Sequence, residues 1–384
     1  MDFAPYIFER DSLCNTRFCL EKAKKLRIAY FGGSVTAGYG AQDFDVHGSA
    51  VDKSSWRAKM TAWLKKRYPE ADIESIYAAI GESGTYLGTY RLYDHVIAKD
   101  PDLAFVEFAI NDTYGGFDRE RAAYQFETIV RELRTAKPFC DIIVLISGDR
   151  NVFERYDGFF PTAQGHADIA KAYGLPLVYM GRALYDHLKQ EDIPWQTYYV
   201  DGVHPKNAGY AFYFDVIKTY MQKALADAPV FCEPRAHTVP KSIVSEHLLD
   251  GDRKLVYASH TMLRESPGWY YSDKNVNTTL SKTGSVAAAI RRGMPSFSYT
   301  FSGTEFAVFT NLYGNRKYEY SVDRGGWKEA IFSKHNPTTV VTGLASGTHR
   351  IAIHPLPSEE ENAENEMYIA AVMFRDETKQ TVRE

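Results

Sequence analysis

Three short stretches of this chain hold the residue types that nucleophilic catalysis needs. Gly32-Gly33-Ser34-Val35-Thr36-Ala37-Gly38 follows an apolar run and offers a hydroxyl at a glycine-permitted turn. Ala109-Ile110-Asn111-Asp112-Thr113 offers a side-chain amide after another such run. Asp201-Gly202-Val203-His204-Pro205 offers an imidazole with a carboxylate three residues before it. A serine hydroxyl is a weak nucleophile until a base takes its proton, and the base performs best when a carboxylate fixes its tautomer.

His204 stands before a proline that suits the first turn of a helix, which holds the ring at a loop-to-helix junction. Asp201, in a turn opened by Gly202, folds back to bond the imidazole Nδ1–H and leaves Nε2 for a hydroxyl proton. An amide N–H such as that of Asn111 is a recognised donor to a developing oxyanion, and losing one such donor costs roughly 100- to 1,000-fold in rate. Each stretch also has a plainer reading. Gly-Gly-Ser after a strand reads as a tight turn, Asn111 as an Asx-turn residue, and Asp201 with His204 as a cap beside a surface histidine. A phosphate cradle is not indicated, because Tyr39 stands after Gly38 where a Walker loop needs lysine, and G-x-G-x-x-G spacing is absent. Nor does a G-x-S-x-G elbow surround Ser34.

The elements that must position these loops follow from periodicity. Strands are expected at 27–31, 73–77, 103–108, 141–146 and 176–180, separated by helical patterns, which implies βαβ units and a parallel sheet. Trp56, Met60, Trp63 and Leu64 share one helix face, as do Phe126, Ile129, Val130 and Leu133. Ser54 or Ser55 suits the first as a cap, and Pro69 and Pro138 lie just past the two ends. A last helix is expected from about Lys206 to Leu225. In an open α/β sheet the loops at the carboxyl ends of the strands carry the reactive groups, which is where Ser34 and Asn111 fall.

Beyond Ala226 the texture changes. Three prolines in APVFCEPRAHTVPKS mark a linker, and afterwards short alternating runs such as SFSYTF, YEYSV, HRIAI and MYIAAVMF point to an all-β sandwich. We therefore expect a catalytic domain over 1–228, a linker over 229–240 and a β-sandwich over 241–384. The acidic run Glu359 to Glu366 reads as a solvated loop between strands.

Four blocks in this order, Gly-Gly-Ser, a glycine-containing turn after the second strand, Asn-Asp and Asp-Gly-Val-His-Pro, resemble the SGNH hydrolases, also called GDSL-like esterases, over about residues 25 to 225. The resemblance implies a three-layer, flavodoxin-like α/β domain with a five-stranded parallel sheet. It implies Ser34 as nucleophile, His204 as general base and then acid, and Asp201 as the residue that fixes the imidazole. The oxyanion donors it implies are the Ser34 N–H, the Asn111 side chain and one N–H from the turn in IGESGTYLGTYRL. That last donor falls at Glu82 if no gap is allowed and at Gly84 if the turn is shifted. The usual Gly-Asp-Ser opening is Gly-Gly-Ser here, which resembles a carbohydrate-active branch of the family. The C-terminal half resembles the jelly-roll modules beside SGNH domains in microbial carbohydrate acetyl esterases, mannan O-acetyl esterases among them. The expected activity is removal of O-acetyl groups from an oligo- or polysaccharide, with no metal and no cofactor. A lipase or thioesterase on longer acyl chains and a catalytically dead sugar-binding protein are the alternatives.

Bulk properties narrow the partners. At 384 residues, 45% apolar and with a net charge of −4 whose lysines and arginines are scattered, the chain shows no footprint for nucleic acid. No stretch approaches the roughly 18 apolar residues of a membrane span, and the N-terminus lacks a signal-peptide pattern, so a cytoplasmic location is expected. Cys14, Cys19, Cys140 and Cys232 have no CxxC spacing and are expected as free thiols, with a Cys14–Cys19 pairing as the alternative. The oligomeric state is left open. Trp327, after Gly325-Gly326 in a hairpin, is a candidate to stack on a pyranose face, with burial in the core as the alternative. His47 over the cleft, with a surface histidine as the alternative, Asp112 orienting its turn, and Arg150 with the aromatic segment 156–160 as a lid or substrate wall, with loop filler as the alternative, complete the candidates.

Overall fold

The computed structural model describes residues 1–44, 52–227, 233–244, 252–272, 285–289, 295–310, 315–333, 337–357 and 366–376. The chain divides into two compact units, Met1–Val244 and Ser245–Glu384.

The first unit is built on strands β1 (Ile7–Phe8), β2 (Lys25–Gly32), β3 (Asp72–Ala79), β4 (Leu103–Glu107), β5 (Asp141–Leu145) and β6 (Leu177–Val178). Their order is β1-β6-β5-β4-β2-β3, with β2 to β6 parallel and β1 antiparallel at the edge. Every residue of β4 and β5 is buried, as expected for parallel strands covered on both faces. The two residues of β1 are too few for alternation to be read, so the sequence gives five strands where the sheet has six.

Helices α1 (Cys14–Phe18), α2 (Ser34–Ala37), α3 (Trp56–Arg67), α4 (Thr85–His95), α5 (Ala109–Tyr114), α6 (Arg119–Ala136), α7 (Arg150–Arg155), α8 (Pro161–Ala172), α9 (Met180–Gln190) and α10 (Asn207–Asp227) follow. Helices α3 and α6 begin where a side chain satisfies a first-turn donor: Ser55 accepts from the Ala58 N–H and Asp118 from the Arg121 N–H. Helices α3, α9 and α10 pack together in one layer, and α4, α6 and α8 in another. Trp56, Met60 and Leu64 of α3 and Phe126, Ile129, Val130 and Leu133 of α6 are fully buried. Trp56 meets Tyr30 and Phe105 edge-on, at ring-centroid distances of 5.4 and 5.6 Å. Trp63 stays at the margin of this core.

Strand β2 lies between β3 and β4, so the chain leaves it toward one edge and returns on its other side. That reversal opens a crevice beyond the carboxyl ends of β2 and β4, the place where open α/β sheets hold their ligands. Gly32 pairs with Glu107 across it, which sets Ser34 and Asn111 on facing rims.

Residues 233–244, partly within the stretch read as a linker, lie along the first unit. Arg134 donates to the Thr238 carbonyl at 3.0 Å, Arg131 to that of Pro240 at 2.7 Å, and Glu127 accepts from the Ile243 and Val244 N–H groups. Cys19 and Cys140 are free, in keeping with the sequence, but Cys14 is disulfide-bonded. Its partner is not Cys19. The two stand five residues apart on continuous helical backbone, where side chains five positions apart leave on different faces. Cys232 and His47 lie outside the described residues.

The second unit is antiparallel throughout its described strands. One sheet runs β10 (Phe297–Ser302), β15 (Thr348–Pro355), β12 (Lys317–Val322), β13 (Lys328–Ile331). The other runs β14 (Thr338–Val341), β11 (Glu305–Thr310), β16 (Glu366–Asp376), β9 (Ser285–Ala289), β8 (Tyr270–Ser272), with β7 (Asp252–Tyr257) also paired to β16. Phe297 and Phe301 from the first sheet and Phe306, Val308 and Ile369 from the second belong to one core, with Phe301 and Phe306 at 4.8 Å. The alternation seen in SFSYTF places these rings inward. Glu366 opens β16 and accepts from the Tyr270 hydroxyl, while 358–365 lie outside the described residues. No described helix is long and apolar enough to cross a membrane.

Candidate active site

Strand β2 ends in two glycines because nothing larger fits. A Cβ on Gly32 would lie 2.4 Å from Thr36 Oγ1 and 2.7 Å from the Glu107 carbonyl, and one on Gly33 would lie 2.0 Å from Asn111 Nδ2. The chain therefore turns directly into α2, with half-buried Ser34 as its first residue. Behind it, the fully buried Glu107 carboxylate accepts from Thr36 Oγ1 at 3.0 Å and Ser147 Oγ at 2.6 Å. Burial, the largest influence, pushes this carboxyl up, and those hydroxyls together with the Gly33 N–H partly offset it.

The structure brings Ser34, His204 and Asp201 into one chain of hydrogen bonds. Ser34 Oγ is 2.8 Å from His204 Nε2, and His204 Nδ1 is 2.7 Å from Asp201 Oδ2. The other Asp201 oxygen accepts the Val203 and His204 N–H groups at 2.8 Å each, which folds the loop back on itself. Burial pushes the Asp201 carboxyl upward, but the bonds from the His204 ring and those two N–H groups outweigh it and hold it at about 2. The loop is braced by the Trp195 Nε1–H on the Asp201 carbonyl and by the Arg150 N–H on that of Gly202. A hydroxyl facing Nε2 of an imidazole whose Nδ1–H is committed to a carboxylate is equipped to lose its proton as it attacks.

On the opposite rim, buried Asn111 donates through Nδ2 to the Ser83 carbonyl at 3.0 Å, with the amide lying over Gly33. Glu82 has φ +61°, the left-handed region, and Gly84 is the N-cap of α4. Burial raises the Glu82 carboxyl to about 7. Asp112 ties this turn down: Oδ1 accepts from the Thr85 N–H at 2.7 Å, and Oδ2 meets His166 Nε2 at 2.9 Å in a fully buried pair. Arg91, also fully buried, donates to the Ala78 carbonyl of β3 and joins the Gly32 carbonyl and Ser83 Oγ at 3.0 Å each, locking the ends of β2 and β3 to the same turn.

The sequence reading passed over Arg91, His166 and Glu107. A charged residue within an otherwise apolar run, as in TYLGTYRL or LAFVEF, was the available signal. Tyr114 was also passed over. Its hydroxyl donates to Asp149 at 2.5 Å, and its ring is exposed.

Trp327 lies in the second unit, 45% exposed, and stacks on His354 at 4.0 Å with an interplanar angle of 22°. Among the described residues one group has the donor types for a metal, Asp11, Asp141 and His237. There His237 Nε2 is 2.8 Å from Asp141 and Nδ1 is 3.7 Å from Asp11, and one ligand atom of each residue lies within 4.8 Å of the others.

Residues 30–212 match the model of the GDSL-like lipase/acylhydrolase family. Two crystal structures of a two-domain esterase active on acetylated mannans are similar over the whole chain. One, co-crystallised with mannopentaose, has a TM-score of 0.77 at 19% identity and covers 100% of this chain and 99% of its own. The other has a TM-score of 0.78 at 20% identity and covers 99% of each. Among curated proteins no relative matches. The matched segment, 30–212, contains Ser34, Asn111, Asp201 and His204, and the family whose model it matches is one of carboxylic ester hydrolases.

Proposed function

We propose that the protein is a serine esterase that removes O-acetyl groups from an oligo- or polysaccharide, of β-mannan type, through an acyl-enzyme on Ser34. The observation that carries the reaction is the unbroken Ser34–His204–Asp201 chain at 2.8 and 2.7 Å. Ser34 Oγ attacks the acetyl carbonyl as its proton passes to His204 Nε2, and that proton then goes to the departing sugar oxygen. Water, deprotonated by the same nitrogen, releases acetate and restores Ser34. Asp201 holds the imidazole in the tautomer both steps require.

The oxyanion is met by the Ser34 N–H, by Asn111 Nδ2 and by the N–H of Glu82. We favour Glu82 over Gly84 on the orientation of the Ser83–Gly84 peptide. The Ser83 carbonyl faces Asn111, so the Gly84 N–H, on the opposite side of that planar peptide, faces away from it. The Thr85 N–H is taken by Asp112. A left-handed backbone at a non-glycine residue is a strain that tends to be kept where a site requires it.

The substrate class is supported by the full-length likeness to an esterase active on acetylated mannans, a likeness of fold. The second unit is proposed as a sugar-binding module, with the open face of Trp327 as its stacking surface. Acetate release from acetylated mannan, xylan and chitin oligosaccharides tests the assignment. We expect mannan to be the best substrate, and rates on aryl esters to fall steeply beyond acetyl. Rates that rise with acyl length, or sugar binding without acetate release, would overturn it.

A further inference from the structure

A serine esterase places the two halves of its substrate on different sides of the nucleophile. The acyl group stays with Ser34 and its carbonyl oxygen turns toward Asn111. The leaving oxygen must come within about 3 Å of His204 Nε2 to receive the proton. When the C–O bond breaks, that proton moves to the sugar oxygen and the acetyl remains on Ser34 Oγ. The sugar ring therefore sits on the His204 side.

Among the described residues, Tyr39, 46% exposed, packs against the His204 ring, and Val200, 48% exposed, donates its N–H to the His204 carbonyl. The Tyr39 ring meets the His204 ring edge-on at 4.6 Å and 64°, and Phe44 at 5.4 Å and 71°. Its backbone is fixed as firmly: the buried Tyr210 hydroxyl donates to the Tyr39 carbonyl at 2.7 Å, and the Tyr39 N–H donates to the Ser34 carbonyl at 3.0 Å. Gly38 and Gly40 flank it at φ +95° and +92°, conformations that suit glycine, and a Cβ on Gly40 would lie 2.7 Å from the Pro205 carbonyl. The turn is thus pressed against the His204–Pro205 loop. An aromatic ring held in place from behind while half its surface faces solvent loses little entropy when an apolar face settles on it.

We infer that Tyr39 is the platform on which the leaving sugar ring stacks, a specificity-determining residue that selects a pyranose over a small alcohol. The inference rests on the deacetylase reading above. The experiment compares kcat/KM for an acetylated mannooligosaccharide with kcat/KM for ethyl acetate, whose leaving group is too short to reach the ring. Both are followed as acetate release in wild type, Tyr39→Ala, Tyr39→Leu and Tyr39→Phe.

We expect the ratio of the two constants to fall at least tenfold in Tyr39→Ala and in Tyr39→Leu, mainly through KM. In Tyr39→Phe the ratio should return to within about threefold of wild type. Leucine keeps apolar packing against His204 without a planar face, so it reports on the platform even where alanine destabilises the loop. A parallel fall on both substrates, leaving the ratio unchanged, would overturn the inference and reduce Tyr39 to packing behind His204. A leucine variant with the wild-type ratio would also overturn it. A wild-type enzyme that hydrolyses ethyl acetate but no acetylated oligosaccharide would instead overturn the deacetylase reading, and this inference with it, before any Tyr39 variant is measured.

Discussion

Replacing Asp201 by asparagine keeps the side-chain shape and removes its charge. The new carbonyl oxygen still accepts the Val203 and His204 N–H groups, now met by Oδ1 at 2.8 Å each. The new –NH2 then faces His204 Nδ1, where Oδ2 stands at 2.7 Å. The ring must accept at Nδ1 and carry its proton on Nε2, the tautomer that cannot take a proton from Ser34. In the general Ser-His-Asp template this exchange lowers kcat about 10⁴-fold, or about 5.4 kcal/mol of barrier. The Asp201 side chain is 45% exposed, and water softens the loss, so we expect about 10³-fold here. The stability effect is much smaller. Depression of the carboxyl to about 2 corresponds nominally to about 2.4 kcal/mol, which solvent screening reduces to about 1 kcal/mol. Because the folded value lies below the ordinary one, that contribution is present above about pH 4 and lost as pH falls toward 2. Steady-state hydrolysis of an aryl acetate at neutral pH, with urea unfolding of the same samples, separates the two effects. An Asp201→Asn enzyme within tenfold of wild type, or one whose loss only tracks its unfolded fraction, would refute the tautomer argument.

Other perturbations carry comparable force. Gly33→Ala places a Cβ 2.0 Å from Asn111 Nδ2, the movable end of a side chain, so kcat should fall at least tenfold while the unfolding midpoint moves little. Glu82, raised to about 7, retains a proton that the unfolded chain releases, so stability should decline between about pH 4.5 and 7 and level off above. Glu82→Gln should flatten that profile and gain on the order of 2 kcal/mol at pH 8 in urea unfolding; an unchanged profile would show that the carboxyl is not buried. Thiol titration of denatured, unreduced protein should find two reactive groups, Cys19 and Cys140, whereas four would contradict the bond at Cys14. Disulfides persist in oxidising compartments, so this count also bears on the cytoplasmic location expected from the N-terminus.

Legibility in the sequence followed how local each feature is. Apolar runs marked β4 and β5 plainly because a strand buried on both faces must be apolar throughout; β3, with Asp72, Glu74 and Ser75 exposed, carries a broken run, and the two-residue edge strand at Ile7 left no pattern. Asp201 and His204 stood out because three residues and a glycine suffice to bring carboxylate and imidazole together. The donor in the second block was ambiguous because Glu82 and Gly84 share one turn. Trp327 was poised between core and surface because hairpin register decides which face a ring takes. Tyr39 was invisible as a site residue: its meaning lies in contact with His204, which the fold brings from the far end of the domain. Arg91 and the Asp112–His166 pair are long-range too, and their burial depends on helices α4, α6 and α8 closing over the turn.

The most direct test of the central claim is peptide mapping after treatment with an aryl organophosphate that phosphorylates activated serines. The Ser34–His204–Asp201 arrangement calls for one adduct per chain, on Ser34, formed in step with the loss of acetate release and absent from His204→Ala. An adduct on another serine, or undiminished acetate release by Ser34→Ala, would contradict it.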